Sequence, residues 1–195
     1  MMTARLSRQK VQVPLRRPGK AELLAAARKR VRDVLASGLQ VLFCGINPGL
    51  YSAWAGHHFA RPGNRFWPAL FASGFTDRLL RPDEEHELLR SDYGITNLVD
   101  RATAAADELT RDELVAGARN LERKLKKYRI RAVAILGVSA YRIAFDRPAA
   151  AVGRQADKIG DSIVWVLPNP SGLNAHFVPA ALAQLFREFR RQVTD

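Results

Sequence analysis

The sequence predicts an α/β fold, a three-layer α/β/α sandwich around a short, mainly parallel sheet. Three observations lead there. The apolar runs Val41-Leu-Phe-Cys44, Ala132-Val-Ala-Ile-Leu136 and Ile163-Val-Trp-Val-Leu167 are near-continuous rather than alternating, as strands covered on both faces require. Helical patterns separate them, and strands that alternate with helices build a parallel sheet with helices on either side. The chain has 195 residues, 47% of them hydrophobic, which is enough to bury a full core, most simply as one domain.

Residues 1–18 are basic, contain Pro14 and Pro18, and read as a poorly ordered arm, leaving 19–195 as the single domain. Leu23, Leu24, Ala27, Val31 and Leu35 recur at helical spacing and predict a helix over 20–37 that Gly38 ends. The first strand follows at 40–46. A loop of about 17 residues then leads to Asn64, a candidate N-cap for a helix carrying Phe66, Trp67, Leu70 and Phe71; so long a loop in a compact domain is more often functional than idle. Pro82 opens a helix to about 91, and a short strand takes 95–99. Thr110 with Glu113 forms a capping-box signature for a long helix to Tyr128, whose basic stretch Arg123-Lys-Leu-Lys-Lys127 reads as a solvated face. After the strand Ala132–Leu136 a short helix follows Ser139. Residues 149–161 read as a loop or short edge strand, 162–167 as a strand, and Pro179 opens a final helix to about 193.

Two strands end alike. Val41-Leu-Phe-Cys-Gly-Ile-Asn-Pro-Gly49 and Ile163-Val-Trp-Val-Leu-Pro-Asn-Pro-Ser-Gly-Leu173 each run into Asn-Pro and a glycine. Asn47 therefore sits at the carboxyl end of a strand, where open α/β sheets bind ligands. One cleft built from two loops is the simplest arrangement.

Charge and cysteine content narrow the class. The net charge is +12 and the pI about 10.7, a footprint that suits a nucleic-acid partner. Residues 1–38 hold ten Lys or Arg against two acids, and the rest of the chain 21 against 17. A basic arm that only aids solubility is the plainer reading of the same numbers. The single Cys44 excludes an intramolecular disulfide, a cysteine-based zinc site and a cysteine-ligated iron–sulfur cluster; a protein without metal or other cofactor is expected. Cys44 itself reads as an inert core residue. No run of 18 apolar residues occurs and no apolar stretch backs the amino-terminal charges, so a soluble, cytoplasmic protein (nucleoid-associated if prokaryotic) without a membrane partner is expected; a monomer is the expected state.

Gly45-Ile-Asn-Pro-Gly49, Phe59-Ala-Arg-Pro-Gly-Asn-Arg-Phe-Trp67 and Asn169-Pro-Ser-Gly-Leu173, with the intervening Gly94-Ile-Thr-Asn-Leu-Val-Asp-Arg101, together resemble the mismatch-specific uracil/thymine-DNA glycosylase family, over about residues 39 to 190. Three motifs in this order and spacing are specific where a lone Asn-Pro-Gly would not be. The resemblance implies base excision from double-stranded DNA with mismatched or damaged bases, typically uracil opposite guanine, with thymine or cytosine adducts as further substrates. It implies Asn47 and Asn169 as catalytic residues, Asn47 holding the attacking water and Asn169 facing the sugar. Other branches of the superfamily carry Asp at the first position, so this branch should be slower. Read alone, Asn47 equally serves as a turn former.

The base pocket implied by the resemblance comprises Ile46, Gly49, Ser52 and Phe59. Phe59 would stack on the flipped base, although a loop Phe read alone is core packing. Gly49 stands where strictly uracil-specific relatives have a tyrosine guarding the C5 edge, and Ser52 lies near that edge. Arg65, Ser171, Gly172, Leu173 and Asn174 are implied to face DNA. Leu173 would be the wedge that fills the vacated base position, and Ser171 a phosphate contact. Beyond Leu173 the match fades: Asn174-Ala-His-Phe177 replaces a stretch in which some relatives carry an arginine, so strong reading of the opposite base is not implied. Arg61 suits a backbone contact or a local ion pair, His176 a phosphate contact or an ordinary surface histidine, and Asp100 either a second polar group in the cleft or a buried structural salt bridge. Asn97 has no assigned role.

Two other classes compete. A non-catalytic DNA-damage-binding protein of the same fold is disfavoured by the intact Asn47. A nucleotide- or phosphosugar-binding enzyme is disfavoured because neither Gly-x-Gly-x-x-Gly nor a Walker-type Gly-Lys-Ser/Thr occurs.

Overall fold

The computed structural model describes residues 17–172 and 177–194; most of the basic arm and the segment 173–176 lie outside the described residues. Strands β1 (Val41–Gly45), β2 (Tyr93–Asn97), β3 (Ala132–Leu136), β4 (Gly153–Arg154) and β5 (Ile163–Leu167) form one sheet in the order β2-β1-β3-β5-β4. All pair in parallel except β4, an antiparallel edge of two residues. The chain passes from β1 to β2 on one side and then crosses to β3 on the other. The carboxyl end of β1 is thus a topological switch point, where such sheets open a crevice.

Strand alternation sends side chains to two apolar layers. Val41, Phe43, Ala134, Trp165 and Leu167 face one layer, where α3 (Phe66–Ser73) and α6 (Pro179–Thr194) pack. Phe43 is at its centre, edge-on to Phe66 at 5.4 Å between ring centroids and stacked near Phe186 at 6.0 Å. Leu42, Cys44, Val133, Ile135, Val164 and Val166 face the other layer, built from α4 (Arg111–Tyr128) and α5 (Val138–Ala144). The expected three layers are therefore present. Burial pushes the Cys44 thiol far above its ordinary range, consistent with an inert core position. The capping box of α4 forms as expected: Thr110 Oγ1 accepts from the Glu113 N–H at 3.2 Å and Glu113 accepts from the Thr110 N–H at 2.9 Å.

The helix expected over 20–37 is not formed. Helix α1 covers Lys20–Ala25, a 3₁₀ turn Ala26–Arg28 ends it, and the chain then runs extended until Val34 bridges Ile95 through bonds of 2.8 and 2.9 Å. Gly94 permits this, since a Cβ there would stand 2.5 Å from the Val34 carbonyl. Burying Val31, Val34 and Leu39, with Val34 bridged to the outer edge of β2, outweighs helical spacing, while Leu24 stays 59% exposed. In the loop expected between the first strand and Asn64, helix α2 (Leu50–Ala55) forms and ends at Gly56, whose φ of 78° is left-handed. Residues Pro82–Ser91 form a 3₁₀ rather than an α-helix, and β2 begins at Tyr93, earlier than expected. Within the basic stretch, Lys124 turns inward to Asp33 at 2.7 Å and Thr96 at 2.8 Å, while Arg123, Lys126 and Lys127 are exposed.

Candidate active site

The loop after β1 is stitched to the segment after β2. Leu98 and Val99 donate to the carbonyls of Gly45 and Ile46, both at 2.9 Å, and Thr103 and Pro48–Leu50 exchange two bonds of 3.1 Å. Asn47 lies inside this seam. Its Nδ2 donates to the Arg101 carbonyl at 2.9 Å and to Thr103 Oγ1 at 2.7 Å. The Thr103 hydroxyl, 3% exposed, spends its own hydrogen on the Ala105 carbonyl at 2.7 Å, so its oxygen can only accept from Asn47. With both amide hydrogens committed, Oδ1 is fixed as the acceptor end. Arg101 is itself clamped, through bonds of 2.6 and 2.9 Å to Glu113 and 3.0 Å to the Glu108 carbonyl. The guanidinium, helped by the Thr110 N–H, holds the Glu113 carboxyl down to about 2. The α4 cap thereby anchors the carbonyl that orients Asn47. Asn47 both forms the turn and carries a pre-set acceptor.

Around Asn47 opens a cleft of about 410 Å³, into which the ends of β1, β2 and β3 and the loop after β5 project Ile46, Asn97, Leu136, Asn169 and Ser171. That volume suits one small ligand rather than a long polymer. Gly49, Ser52, His58, Phe59 and Arg61 line it from the loop side, and Asp107, exposed, from the segment after Thr103. Phe59 adopts φ 53° and stacks one ring face on Phe66, 4.0 Å between centroids at 26°. A planar ligand can stack only on the opposite face. Gly49 has φ −69°, which any residue adopts, and a Cβ there would meet nothing within 4 Å. Its missing side chain leaves room in the cleft rather than serving the backbone. Ser52, 6% exposed, accepts the Ala60 N–H at 3.1 Å and so braces the Phe59 turn. Ile46 packs against Gly137, where a Cβ would stand 2.7 Å from its Cδ1.

The loop after β5 leans on residues 61–65. Asn169 Oδ1 accepts the Ser171 N–H at 3.0 Å, which holds the Asn-Pro-Ser turn. The Arg65 N–H donates to the Pro170 carbonyl at 2.9 Å and its Nη1 to the Phe177 carbonyl at 2.5 Å. Arg65, expected to contact DNA, thus bonds the backbone on both sides of the 173–176 segment. Gly172 touches the neighbouring loop, because a Cβ there would meet the Gly63 carbonyl at 2.5 Å. Leu173, Asn174 and His176 lie outside the described residues. Asp100 is not among the residues that line the cleft, and its ion pair is an exposed one: its side chain is 42% exposed and pairs with Arg30 at 3.7 Å.

The sequence reading assigned no role to Asn97, His58 or Thr103, all of which line the cleft. Asn97 pairs in register with Gly45, and a Cβ on Gly45 would stand 2.4 Å from Asn97 Oδ1 and 3.3 Å from Phe59 Cζ. Gly45 thus makes room for an amide and an aromatic ring side by side. Asn97 is 6% exposed, and its Nδ2 lies 3.4 Å from His58 Nδ1. His58 is 2% exposed; burial lowers its pKa and keeps the ring neutral. Parallel register alone could have flagged Asn97, once β1 and β2 were known to pair.

Parallel strands that end in a small polar cleft at a switch point define an α/β protein built to bind one small group at the sheet's carboxyl edge. More specifically, residues 33–191 match the family model for the uracil DNA glycosylase superfamily, and the chain belongs to that superfamily. Among solved structures it is similar in fold to the solution NMR structure of a candidate uracil DNA glycosylase from Methanosarcina acetivorans. The two share 18% identity over 84% of this chain and 98% of that one, with a TM-score of 0.52. Among the described residues no helix is long and apolar enough to cross a membrane.

Proposed function

We propose that the protein is a monofunctional DNA glycosylase that rotates uracil, and also thymine or cytosine adducts, out of duplex DNA opposite guanine and hydrolyses the N-glycosidic bond. The observation that carries this reading is the Asn47 amide, locked at both hydrogens beside a cleft of about 410 Å³ with an aromatic face and a buried amide. A base inside duplex DNA must leave the stack before such a cleft can hold it. Phe59 then covers one face of the base, worth about 1–3 kcal/mol. Asn97 offers its carbonyl to N3–H and an amide hydrogen to O4, the pair of groups that uracil and thymine share. The bond from C1′ to the base breaks with its electron pair going to the base. Water held on Asn47 Oδ1 adds its oxygen to C1′ and releases its proton to solvent. An amide accepts a hydrogen bond but takes no proton, so Asn47 positions the water rather than acting as a base.

The open space at Gly49 favours acceptance of a C5 methyl. No lysine is among the described residues that line the cleft, which favours hydrolysis over Schiff-base chemistry and strand nicking. Double-stranded DNA is the partner of this reading, met through Ser171, Gly172, Leu173 and Asn174 and aided by the basic arm. The enzyme would work as a cytoplasmic monomer. The test is incubation with duplexes carrying uracil opposite guanine, uracil opposite adenine or thymine opposite guanine, followed by alkali cleavage. Excision with preference for the guanine mismatches is expected. Tight binding without alkali-labile product would instead mark a damage-binding protein.

A further inference from the structure

His58 is a buried imidazole that the reaction just described does not use. Its Nε2 lies 3.0 Å from the Arg32 carbonyl, which can only accept, so Nε2 carries the hydrogen. Its backbone N–H donates to Glu85 Oε2 at 2.8 Å and its carbonyl accepts from Trp67 Nε1 at 3.3 Å, so the backbone that carries the ring is fixed on both sides. In a neutral ring with Nε2–H, Nδ1 presents a lone pair, and only a donor is tolerated opposite it. Asn97 Nδ2 is that donor, 3.4 Å away. If the amide turned over, Oδ1 would face that lone pair at two residues only 2% and 6% exposed, and the two acceptors would repel.

We propose that His58 is a positioning residue for base selection: its Nδ1 lone pair fixes which way round the Asn97 amide sits and so sets the preference for uracil over cytosine. The inference rests on the reading above in which Asn97 meets the Watson–Crick edge of the base. With Nδ2 turned to His58, Oδ1 sits above Gly45 beside the Phe59 ring. That orientation accepts from N3–H and donates to O4, as uracil requires. Cytosine presents the reverse, an N3 acceptor and an N4 donor, and would be matched only by the turned-over amide. The Arg32 carbonyl thus reaches the base through two steps: it selects the imidazole tautomer, and the tautomer selects the amide.

The experiment is a double-mutant cycle read on single strands that carry either uracil or cytosine, so that base pairing does not enter. His58→Phe keeps an aromatic ring and removes the lone pair; it should lower the uracil-to-cytosine ratio of single-turnover rates by about tenfold or more. In an Asn97→Ala background the same change should do little, because the amide it orients is gone. His58→Asn, which offers an oxygen near the place of Nδ1, should recover most of the preference. Should His58→Phe fail to fold, side-chain ¹⁵N shifts of His58 in the wild-type protein decide: the expected spectrum shows Nε2 protonated and Nδ1 bare, and a protonated Nδ1 overturns the proposal. An unchanged ratio in His58→Phe, or equal losses with and without Asn97, also overturns it and leaves the glycosylase reading standing. Normal uracil excision by Asn97→Ala would instead remove the base-reading role on which it rests.

Discussion

Thr103→Val tests whether Asn47 is positioned or merely present. The valine keeps the shape of threonine but loses the oxygen that accepts from Asn47 Nδ2 and the hydrogen that goes to the Ala105 carbonyl, both at 2.7 Å. Each buried hydrogen bond contributes about 0.5–1.5 kcal/mol net, so stability should fall by about 1–3 kcal/mol. That loss is measurable by urea titration. Asn47 keeps its bond to the Arg101 carbonyl at 2.9 Å but becomes free to swing about it. If about half of the destabilisation is misplacement of the water's acceptor, about 0.5–1.5 kcal/mol enters the barrier and excision slows about 2- to 13-fold. Single-turnover excision of uracil opposite guanine is the assay, with Thr103→Ser as the variant that keeps the hydroxyl and should retain most of the rate. A Thr103→Val protein that is less stable yet excises at the wild-type rate would refute the positioning argument.

Other perturbations address the remaining parts of the cleft. Gly49→Tyr should be tolerated by the backbone, since φ is −69° and no atom lies within 4 Å of the new Cβ; it should cut thymine excision far more than uracil excision, measured as the ratio of the two single-turnover rates. Gly172→Ala places a methyl 2.5 Å from the Gly63 carbonyl; overpacking of this kind costs about 1–3 kcal/mol and should lower the melting temperature together with excision. Leu173→Ala should slow excision from duplexes, where base extrusion costs a few kcal/mol, much more than from single strands, and equal losses would argue against a wedge. Removal of residues 1–18 should weaken binding to damaged and undamaged duplexes alike and flatten the salt dependence of affinity.

The sheet was legible because strands buried on both faces must be apolar throughout, and the run Ala132–Leu136 coincides with β3. The capping box at Thr110 was legible because its two bonds are local in sequence. The stretch after Arg28 was not. Val31 and Leu35 obey helical spacing, but the contact that decides their conformation is Val34 with Ile95, far along the chain. Helix α2 escaped because Pro48, Gly49 and Gly56 are loop-formers by composition, and here two of them only delimit a short helix. In the cleft, motif residues such as Asn47, Phe59 and Asn169 were found by local pattern. Their supports were not, because the hydrogen bonds that give Asn47 its orientation come from Arg101 and Thr103, across the β1–β2 seam. Asn97 and His58 meet only when β2 pairs with β1 and the loop folds back over Gly45.

The central claim is that Asn47 holds the water that cleaves the glycosidic bond. It is tested most directly by comparing wild-type protein and Asn47→Ala in single-turnover excision of uracil opposite guanine, with affinity for the same duplex measured alongside. Loss of one well-aimed polar group should slow excision by roughly 10²–10³-fold. Affinity should change little, because phosphate contacts supply most of it. Excision by Asn47→Ala at close to the wild-type rate would show that Asn47 only shapes the turn.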